Sequence, residues 1–285
     1  MRILAPAKIN LGLRIVGVRS DGYHELDSLF LPLDLADILE VRSADSPHSE
    51  IALRVEGRAP HDASNLAARA AEAFAKAAGT PLRVEIALAK RIPMAAGLGG
   101  GSSDAAAVLR ALAEQHPGRV SPAELARLAL SLGADVPFFL EPRPTRVRGI
   151  GEQLEPVAGL PSLALVLANP GAPVPTAEVY RAYDALGTPA SKERSELPDL
   201  SRSAIDALAP WLENDLEPAA IRLCPAVARM RQALTRAGAV AVGLTGSGAT
   251  LYGVCRDVAA ARGVAAKLQI PDPGWSHVAI TAESP

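Results

Sequence analysis

Net charge is almost absent from this chain: 29 lysines and arginines stand against 31 aspartates and glutamates, giving −2 with neutral histidines. That balance leaves no basic footprint for a nucleic-acid backbone. The charges are scattered without long runs, so a disordered charged tail is not indicated. Cysteine is scarce as well. Cys224 and Cys255 form no C-x-x-C pair and no spacing suited to metal ligands, which reads as two buried thiols in a reducing compartment. Long apolar runs are missing. "LPSLALVLA" (Leu160–Ala168) falls far short of the roughly 20 residues that span a bilayer. The N-terminal "MRILAPAKINLGL" is broken by Pro6, Lys8 and Asn10, where the core of a secretion signal should run. The expectation is a soluble, cytoplasmic protein with no membrane and no nucleic-acid partner. Aromatic residues make up only 4% of the chain, so each one is informative.

What is present is apolar bulk, 49% of 285 residues, enough for one large domain or two ordinary ones. The first third reads as β-rich, in "KINLGLRIVGV", "DSLFLPLDLADILEV" and "EIALRVEG", which carry branched apolar residues in partial alternation. "DASNLAARAAEAFAKAAGTP" is a helix with a glycine–threonine–proline stop, and "LRVEIALAK" alternates as a strand. "SSDAAAVLRALAEQ" is a helix with Ser102 or Ser103 near its start. "SPAELARLALSLG" has Ser121 as cap, Pro122 at the first helical position, Glu124 completing a capping box and Gly133 as stop. "GADVPFF" then heads into a strand. Proline and glycine cluster around Gly151–Ser162, which places a boundary between a domain of residues 1–155 and one of 156–285. The second half reads as strand "LALVLANP", helices near 177–187, 201–209 and 224–237, a strand–turn–strand in "AVAVGLTGSGATLYGVC", a helix and the strand "SHVAIT".

The chemistry concentrates in "PMAAGLGGGSSDAA", Pro93 to Ala106, where four of the five residues Gly97–Gly101 are glycine. A Walker loop needs a lysine after its last glycine, and none follows. A dinucleotide fingerprint needs a glycine where Ser102 stands and an acid some 20 residues on. The protein-kinase loop lies between two strands, and a helix follows here. The physics still points to an anion: glycines let backbone N–H groups converge, and a helix N-terminus adds unpaired donors and the positive end of its dipole. The serine hydroxyls add donors, or an oxygen ligand for a magnesium ion.

"PMAAGLGGGSSDAA" resembles the second motif of the GHMP kinases, which phosphorylate small molecules with ATP. "PAKINLGL" (Pro6–Leu13) resembles their first motif and "GLTGSGATLYG" (Gly243–Gly253) their third. The three together cover most of the chain. "GVRSDGYHEL", "GADVPFF", "RGIGE", "NPGAPVPT" and "ENDLE" narrow the resemblance to the branch acting on a cytidine diphosphate sugar alcohol. Two departures, Ala95-Ala96 and "EPRPT" (Glu141–Thr145), replace usually glycine-containing stretches and bear on local loop conformation. The resemblance implies an α+β fold: an N-terminal ribosomal-protein-S5-like ATP domain and a C-terminal ferredoxin-like α/β domain, with the active site in the inter-domain cleft. It also implies ATP and Mg2+, with no metal ligand assigned, and a monomer or weak homodimer.

By the same resemblance Pro93, Met94, Ala95, Ala96, Gly97, Leu98, Gly99, Gly100, Gly101, Ser102 and Ser103 bind ATP. Asn65, which is otherwise a helix cap, lies near the adenine. Asp135 is the candidate base and Lys8 its partner. On sequence alone Asp135 is equally a turn residue, and Lys8 an edge lysine. Asn10, two residues from Lys8, lies on the same strand face. Tyr23 and Tyr180 would sandwich the cytosine and His24 would read its edge; the alternative for Tyr180 is helix packing. Thr176, Gly246, Ser247 and Gly248 complete the substrate contacts. Asp215 stays outside the site, as a helix stabiliser. Three rivals remain: another small-molecule kinase of the family, a non-catalytic sensor on the same fold, and, more distantly, a dinucleotide-dependent oxidoreductase. The first lacks a base to stack on Tyr23, and the second would be expected to lose Lys8 or Asp135.

Overall fold

Two strands much longer than the usual five or six residues open the chain: β1 (Arg2–Val18) and β2 (His24–Asp45). The computed structural model describes residues 1–172, 174–192 and 211–282. It divides into two compact units, neither contiguous in sequence. Unit 1 holds Met1–Ala7, Leu35–Met94 and Gly99–Pro142; unit 2 holds Lys8–Asp34, Ala95–Leu98 and Arg143–Pro285. A boundary at 155/156 falls inside unit 2.

Unit 1 is a sheet covered by helices. Strand β4 (Leu82–Ala89) buries every second side chain, as its alternation predicts. It pairs antiparallel with residues Ile38–Asp45 of β2 and parallel with β3 (Glu50–Glu56). Helix α1 (Leu66–Ala77) turns its alanines and Phe74 inward and packs against α2 (Gly100–Gln115) and α3 (Pro122–Leu132). Alanine is the best helix former and lets the helices approach closely. Ser121 caps α3 by accepting from the Glu124 backbone N–H at 3.2 Å, with Pro122 in the first turn. The return arm of the capping box does not form among the described bonds: the Glu124 carboxylate pairs with Arg127 one turn on. "GADVPFF" does not run into a strand. Pro137–Leu140 form a 3-10 turn that buries Phe138 and Phe139, and β5 (Thr145–Gly149) begins only afterwards.

In unit 2, β5 pairs antiparallel with residues Leu26–Phe30 of β2 and with β6 (Gln153–Pro156). A separate antiparallel sheet runs β10 (Trp275–Ile280), β7 (Ala164–Asn169), β9 (Leu251–Cys255), β8 (Ala241–Leu244) in spatial order. It packs with α4 (Thr176–Leu186), α5 (Glu217–Leu223), α6 (Ala226–Ala237) and α7 (Val258–Lys267) around Val166, Val227, Leu234 and Leu251. Each such fully buried side chain contributes about 1.5–3 kcal/mol relative to exposure. The expected helix at 224–237 is α6; α5 had no counterpart in the sequence reading, because Pro218 and a single turn and a half of alternation hide it. The helix expected at 201–209 lies outside the described residues. Cys224 and Cys255 are free and buried, as expected.

Candidate active site

Unit 2 gathers one connected polar network. Side chains two apart on β1 share a face, which places Lys8 beside Asn10. Both are buried, at 4% and 2% exposure. Lys8 Nζ donates to Asn10 Oδ1 at 2.6 Å and lies 4.4 Å from the centre of the Phe30 ring. A lysine is almost never buried unless such partners receive it. Asn10 is itself fixed: its Nδ2 donates to Ser28 Oγ at 3.1 Å and its backbone N–H to Thr245 Oγ1 at 2.9 Å.

The glycine segment enters the same network. The Lys8 backbone N–H donates to the Leu98 carbonyl at 2.9 Å. Gly97 takes φ +72°, and a Cβ there would stand 2.9 Å from the Thr245 carbonyl oxygen. Only glycine fits both the left-handed backbone and that approach. Ala95 also sits at φ +51°, which costs a non-glycine residue about 1–2 kcal/mol; here Ala95, the first of the alanine pair, adopts the conformation that glycine would favour. The turn at Gly246–Gly248 is held by Asn214, whose Nδ2 donates to the Leu244 and Gly246 carbonyls, each at 2.9 Å. Thr176 and Ser247 share a hydroxyl hydrogen bond of 2.9 Å. Lys8, Asn10, Gly97, Leu98, Thr176, Gly246 and Ser247, all named from sequence, are thus brought together.

Tyr23, His24 and Tyr180 behave differently from one another. Tyr23 stands 61% exposed at the end of a turn closed by the Arg19 N–H to the Tyr23 carbonyl, 2.8 Å. The Tyr23 N–H donates to Asp21 and holds that exposed carboxyl below its usual range. His24 packs against α4: its ring centre lies 4.8 Å from that of Tyr180 and 5.9 Å from that of Tyr183, and its Nε2 is 2.7 Å from Asp184 Oδ1. Tyr180 also packs against the apolar core of unit 2, so helix packing is part of its role.

Unit 1 carries the rest. Helix α2 starts two residues before Ser102. Its N-cap is Gly99, at φ +71°, with no side-chain cap. The first-turn N–H groups therefore meet no capping side chain, and the serines sit one turn in. Ser103 Oγ is buried and has no hydrogen-bond partner among the described residues. Beneath this turn lies a buried ion cluster: Lys90 Nζ bonds Asp37 and, at 2.7 Å, Asp104. The other oxygen of Asp37 accepts from the Arg91 and Ile92 N–H groups. Burial pushes the Asp104 carboxyl up to about 8 even beside the Lys90 ammonium, and the Asp37 charge adds to the push. Lys90 is desolvated, yet the two carboxylates hold it above its ordinary value. Asp135 is half-buried in the turn after α3, closed by the Val136 N–H to the Gly133 carbonyl at 3.1 Å. A Cβ on Gly133 would lie 3.9 Å from Ser102 Oγ, so that turn adjoins the start of α2. Asn65 is a helix cap: its Oδ1 accepts from the Ala67 N–H at 2.9 Å and its Nδ2 donates to the Pro60 carbonyl at 2.8 Å. Met94 is 53% exposed and Pro93 half-buried.

Sequence reasoning missed Asp37, Lys90, Asp184 and Thr245. Asp37 left a signal. It alternates with Leu35 and Leu39 on the inward face of β2, and an acid on a core face calls for a buried cation. Asp184 left none, because only folding brings residues 24 and 184 together. Among the described residues no group of three or more histidines, cysteines or acids is placed to hold a metal ion, and no helix is long and apolar enough to cross a membrane.

Residues 65–141 match the GHMP kinases N terminal domain and residues 197–273 the GHMP kinases C terminal domain. The chain is 46% identical to 4-diphosphocytidyl-2-C-methyl-D-erythritol kinase of Deinococcus radiodurans, over 95% of this chain and 89% of that one. It is 44% identical to the protein of that name from Mesorhizobium japonicum, covering 95% and 92%. A crystal structure of 4-(cytidine 5'-diphospho)-2C-methyl-D-erythritol kinase superposes with TM-score 0.81 at 41% identity, covering 99% of this chain and all of the other. Homoserine kinase from Cytophaga hutchinsonii shares the fold, with TM-score 0.71 at 17% identity, covering 100% and 95%.

Proposed function

The chain belongs to the GHMP kinase family, and from that premise we propose that it transfers the γ-phosphoryl group of ATP to the 2-hydroxyl of 4-diphosphocytidyl-2-C-methyl-D-erythritol, giving the 2-phosphate and ADP. That is a step of non-mevalonate isoprenoid biosynthesis. The observation that carries the reading is Lys8: a buried ammonium whose own backbone N–H is bonded to the glycine segment.

Phosphoryl transfer asks a protein for alignment and charge neutralisation more than for covalent chemistry. The backbone from Ala95 to Gly101 and the open N-terminus of α2 cradle the phosphates. Asp135 takes the proton of the attacking hydroxyl. Lys8 supplies the positive charge that the developing alkoxide needs, with Asn10 fixing the ammonium in place. Tyr23 and Tyr180 hold the two faces of the cytosine, His24 reads its edge, and Thr176, Gly246 and Ser247 contact the remainder. Asn65 borders the adenine while capping α1. Mg2+ bound to ATP would neutralise phosphate charge. The partnerless hydroxyl of Ser103 and that of Ser102 are oxygens suited to it, in keeping with an ion that takes few protein ligands and several phosphate oxygens and waters. Two free thiols suit a cytoplasmic enzyme, and we read it as a monomer or weak homodimer.

A coupled ADP-release assay tests this directly. The cytidine diphosphate alcohol is expected to turn over, and mevalonate and homoserine are not. Turnover of mevalonate without the cytidine substrate overturns the assignment. In the same assay Asp135→Asn should lower kcat by roughly 10²–10⁴-fold with the melting curve preserved; near-wild-type turnover would remove Asp135 as the base.

A further inference from the structure

Strands β2 and β4 are paired from Asp45 and Leu82 to Ile38 and Ala89, and there the ladder stops. Asp37 and Lys90 stand where its next pair would be. Because β4 leaves the sheet at this point, the N–H groups of Arg91 and Ile92 have no ladder partner and need another acceptor. The Asp37 side chain supplies it. Its Oδ1 accepts from the Arg91 N–H at 2.5 Å and from the Ile92 N–H at 2.8 Å, and its Oδ2 accepts from Lys90 Nζ. On the other side, the Lys90 backbone N–H donates to the Glu56 carbonyl of β3 at 2.9 Å. The Asp37 side chain is wholly buried and that of Lys90 is 6% exposed.

The same ammonium reaches across the glycine segment. Lys90 Nζ also donates at 2.7 Å to Asp104 Oδ2, on α2, one turn past Gly100. A Cβ on Gly100 would stand 3.0 Å from Ile92 Cγ2 and 3.3 Å from Lys90 Nζ, so the first turn of α2 lies directly on residues 90 and 92. The entry to the segment, at Ile92, and its exit, at Gly100, are therefore fastened to one buried point. Asp37 fixes the entry to β2, and Lys90 ties the exit to the entry. Between them Ala95, Gly97 and Gly99 all take positive φ, and glycine has more backbone freedom to lose on ordering than any other residue. A loop already held at both ends loses less when a ligand settles on it, and binding is tighter by that difference.

We propose that Asp37 is a positioning residue for ATP: acting through the Arg91 and Ile92 N–H groups and the Lys90 ammonium, it holds both ends of the glycine segment in the conformation that receives the phosphates. The inference rests on the phosphate reading of that segment given above. It adds a residue that acts from beneath the segment, with no exposed surface of its own.

Two measurements test it. The first compares KM for ATP with KM for the alcohol substrate. Asp37→Ala removes all three bonds and should raise KM for ATP about tenfold, the size of one lost hydrogen bond to a charged group, with KM for the alcohol near wild type. Asp37→Asn keeps an oxygen for the two N–H groups and should recover part of that loss. If Asp37→Ala does not fold, Lys90→Met/Asp104→Leu unties exit from entry while Asp37 keeps its two backbone donors, and the same selective rise is expected. An equal rise in both KM values, or no rise in either, would overturn the proposal. The second measurement is hydrogen exchange in the ligand-free variants. It reads the Ser103 amide, which closes the first turn of α2 onto the Gly99 carbonyl at 2.9 Å, against amides elsewhere in unit 1. Ser103 should exchange faster than in wild type while the others do not. Wild-type exchange at Ser103 would mean that the two ends are not tied through Asp37, and the proposal alone falls. Faster exchange with unchanged ATP kinetics would mean that the segment does not receive the phosphates, and the phosphate reading falls with the proposal.

Discussion

Helices α1 and α2 of unit 1 are packed together and begin in opposite ways. Helix α1 is closed by Asn65, whose side chain accepts the Ala67 N–H and ties back to Pro60. Helix α2 is opened by Gly99 in a left-handed conformation, with no side chain over its first turn. The first arrangement uses the helix N-terminus for stability, since a side-chain cap contributes about 1 kcal/mol. The second leaves the donors of that N-terminus without a side-chain cap, and the buried cluster of Lys90, Asp37 and Asp104 lies under the helix instead. The anion site proposed at α2 would thus be anchored from below, where the anchor does not block the helix end.

The difference can be broken at α2 first. Gly100→Ala would put a methyl group 3.0 Å from Ile92 Cγ2 and 3.3 Å from Lys90 Nζ, so the first turn must shift by tenths of an ångström. KM for ATP should rise roughly tenfold, given how steeply misplacement by an ångström is felt in a reacting complex, while the KM for the second substrate changes little. Steady-state kinetics with each substrate varied in turn would check this. Unchanged ATP kinetics would mean that the α2 terminus does not meet the phosphates.

At α1 the expected effect is on stability. Asn65→Ala should cost about 1 kcal/mol, read as a melting point lower by roughly 2–4 °C. Asn65→Asp, which keeps a capping oxygen, should recover most of it. A higher KM for ATP in the stable Asn65→Asp variant would add adenine contact to the capping role.

The smallest effect at mildly acidic pH is expected from Asp104→Asn, and it sharpens the anchoring half of the comparison. The Asp104 carboxyl is raised from 3.8 to about 8 in the folded protein. The native state therefore binds that proton more tightly than the unfolded chain does. Its contribution to stability is complete below about pH 4 and is lost as pH rises toward 8. An asparagine has no such proton to lose. Melting curves should accordingly show the variant gaining on wild type steadily from pH 5 to pH 8. A difference independent of pH would show that Asp104 is ionised throughout.

Local signals carried the regular elements. Strand β4 alternates cleanly because one of its faces is buried, and α3 announces itself through Ser121, Pro122 and Gly133. Lys8 and Asn10 were legible as a pair, since a period of two puts them on one face of β1 wherever that strand lies. The start of α2 was not. Serine is a good cap by propensity, but the chain there follows the left-handed turn of Gly99, which leaves Ser102 and Ser103 inside the helix. The 3-10 turn after Asp135 escaped because burying Phe138 and Phe139 outweighed the strand preference of "VPFF".

The chain alone determined most of its regular elements, its glycine-rich loop and the family that its motifs resemble, because those depend on neighbours within a few residues and on glycine's freedom at positive φ. Tertiary structure decided which charges and rings meet: Lys90 with Asp37 and Asp104, Asn10 with Thr245, His24 with Tyr180 and Asp184. Those partners lie 14 to 235 residues apart in sequence. No local period links them, and the need to satisfy buried polar groups makes itself felt only once the fold has buried them.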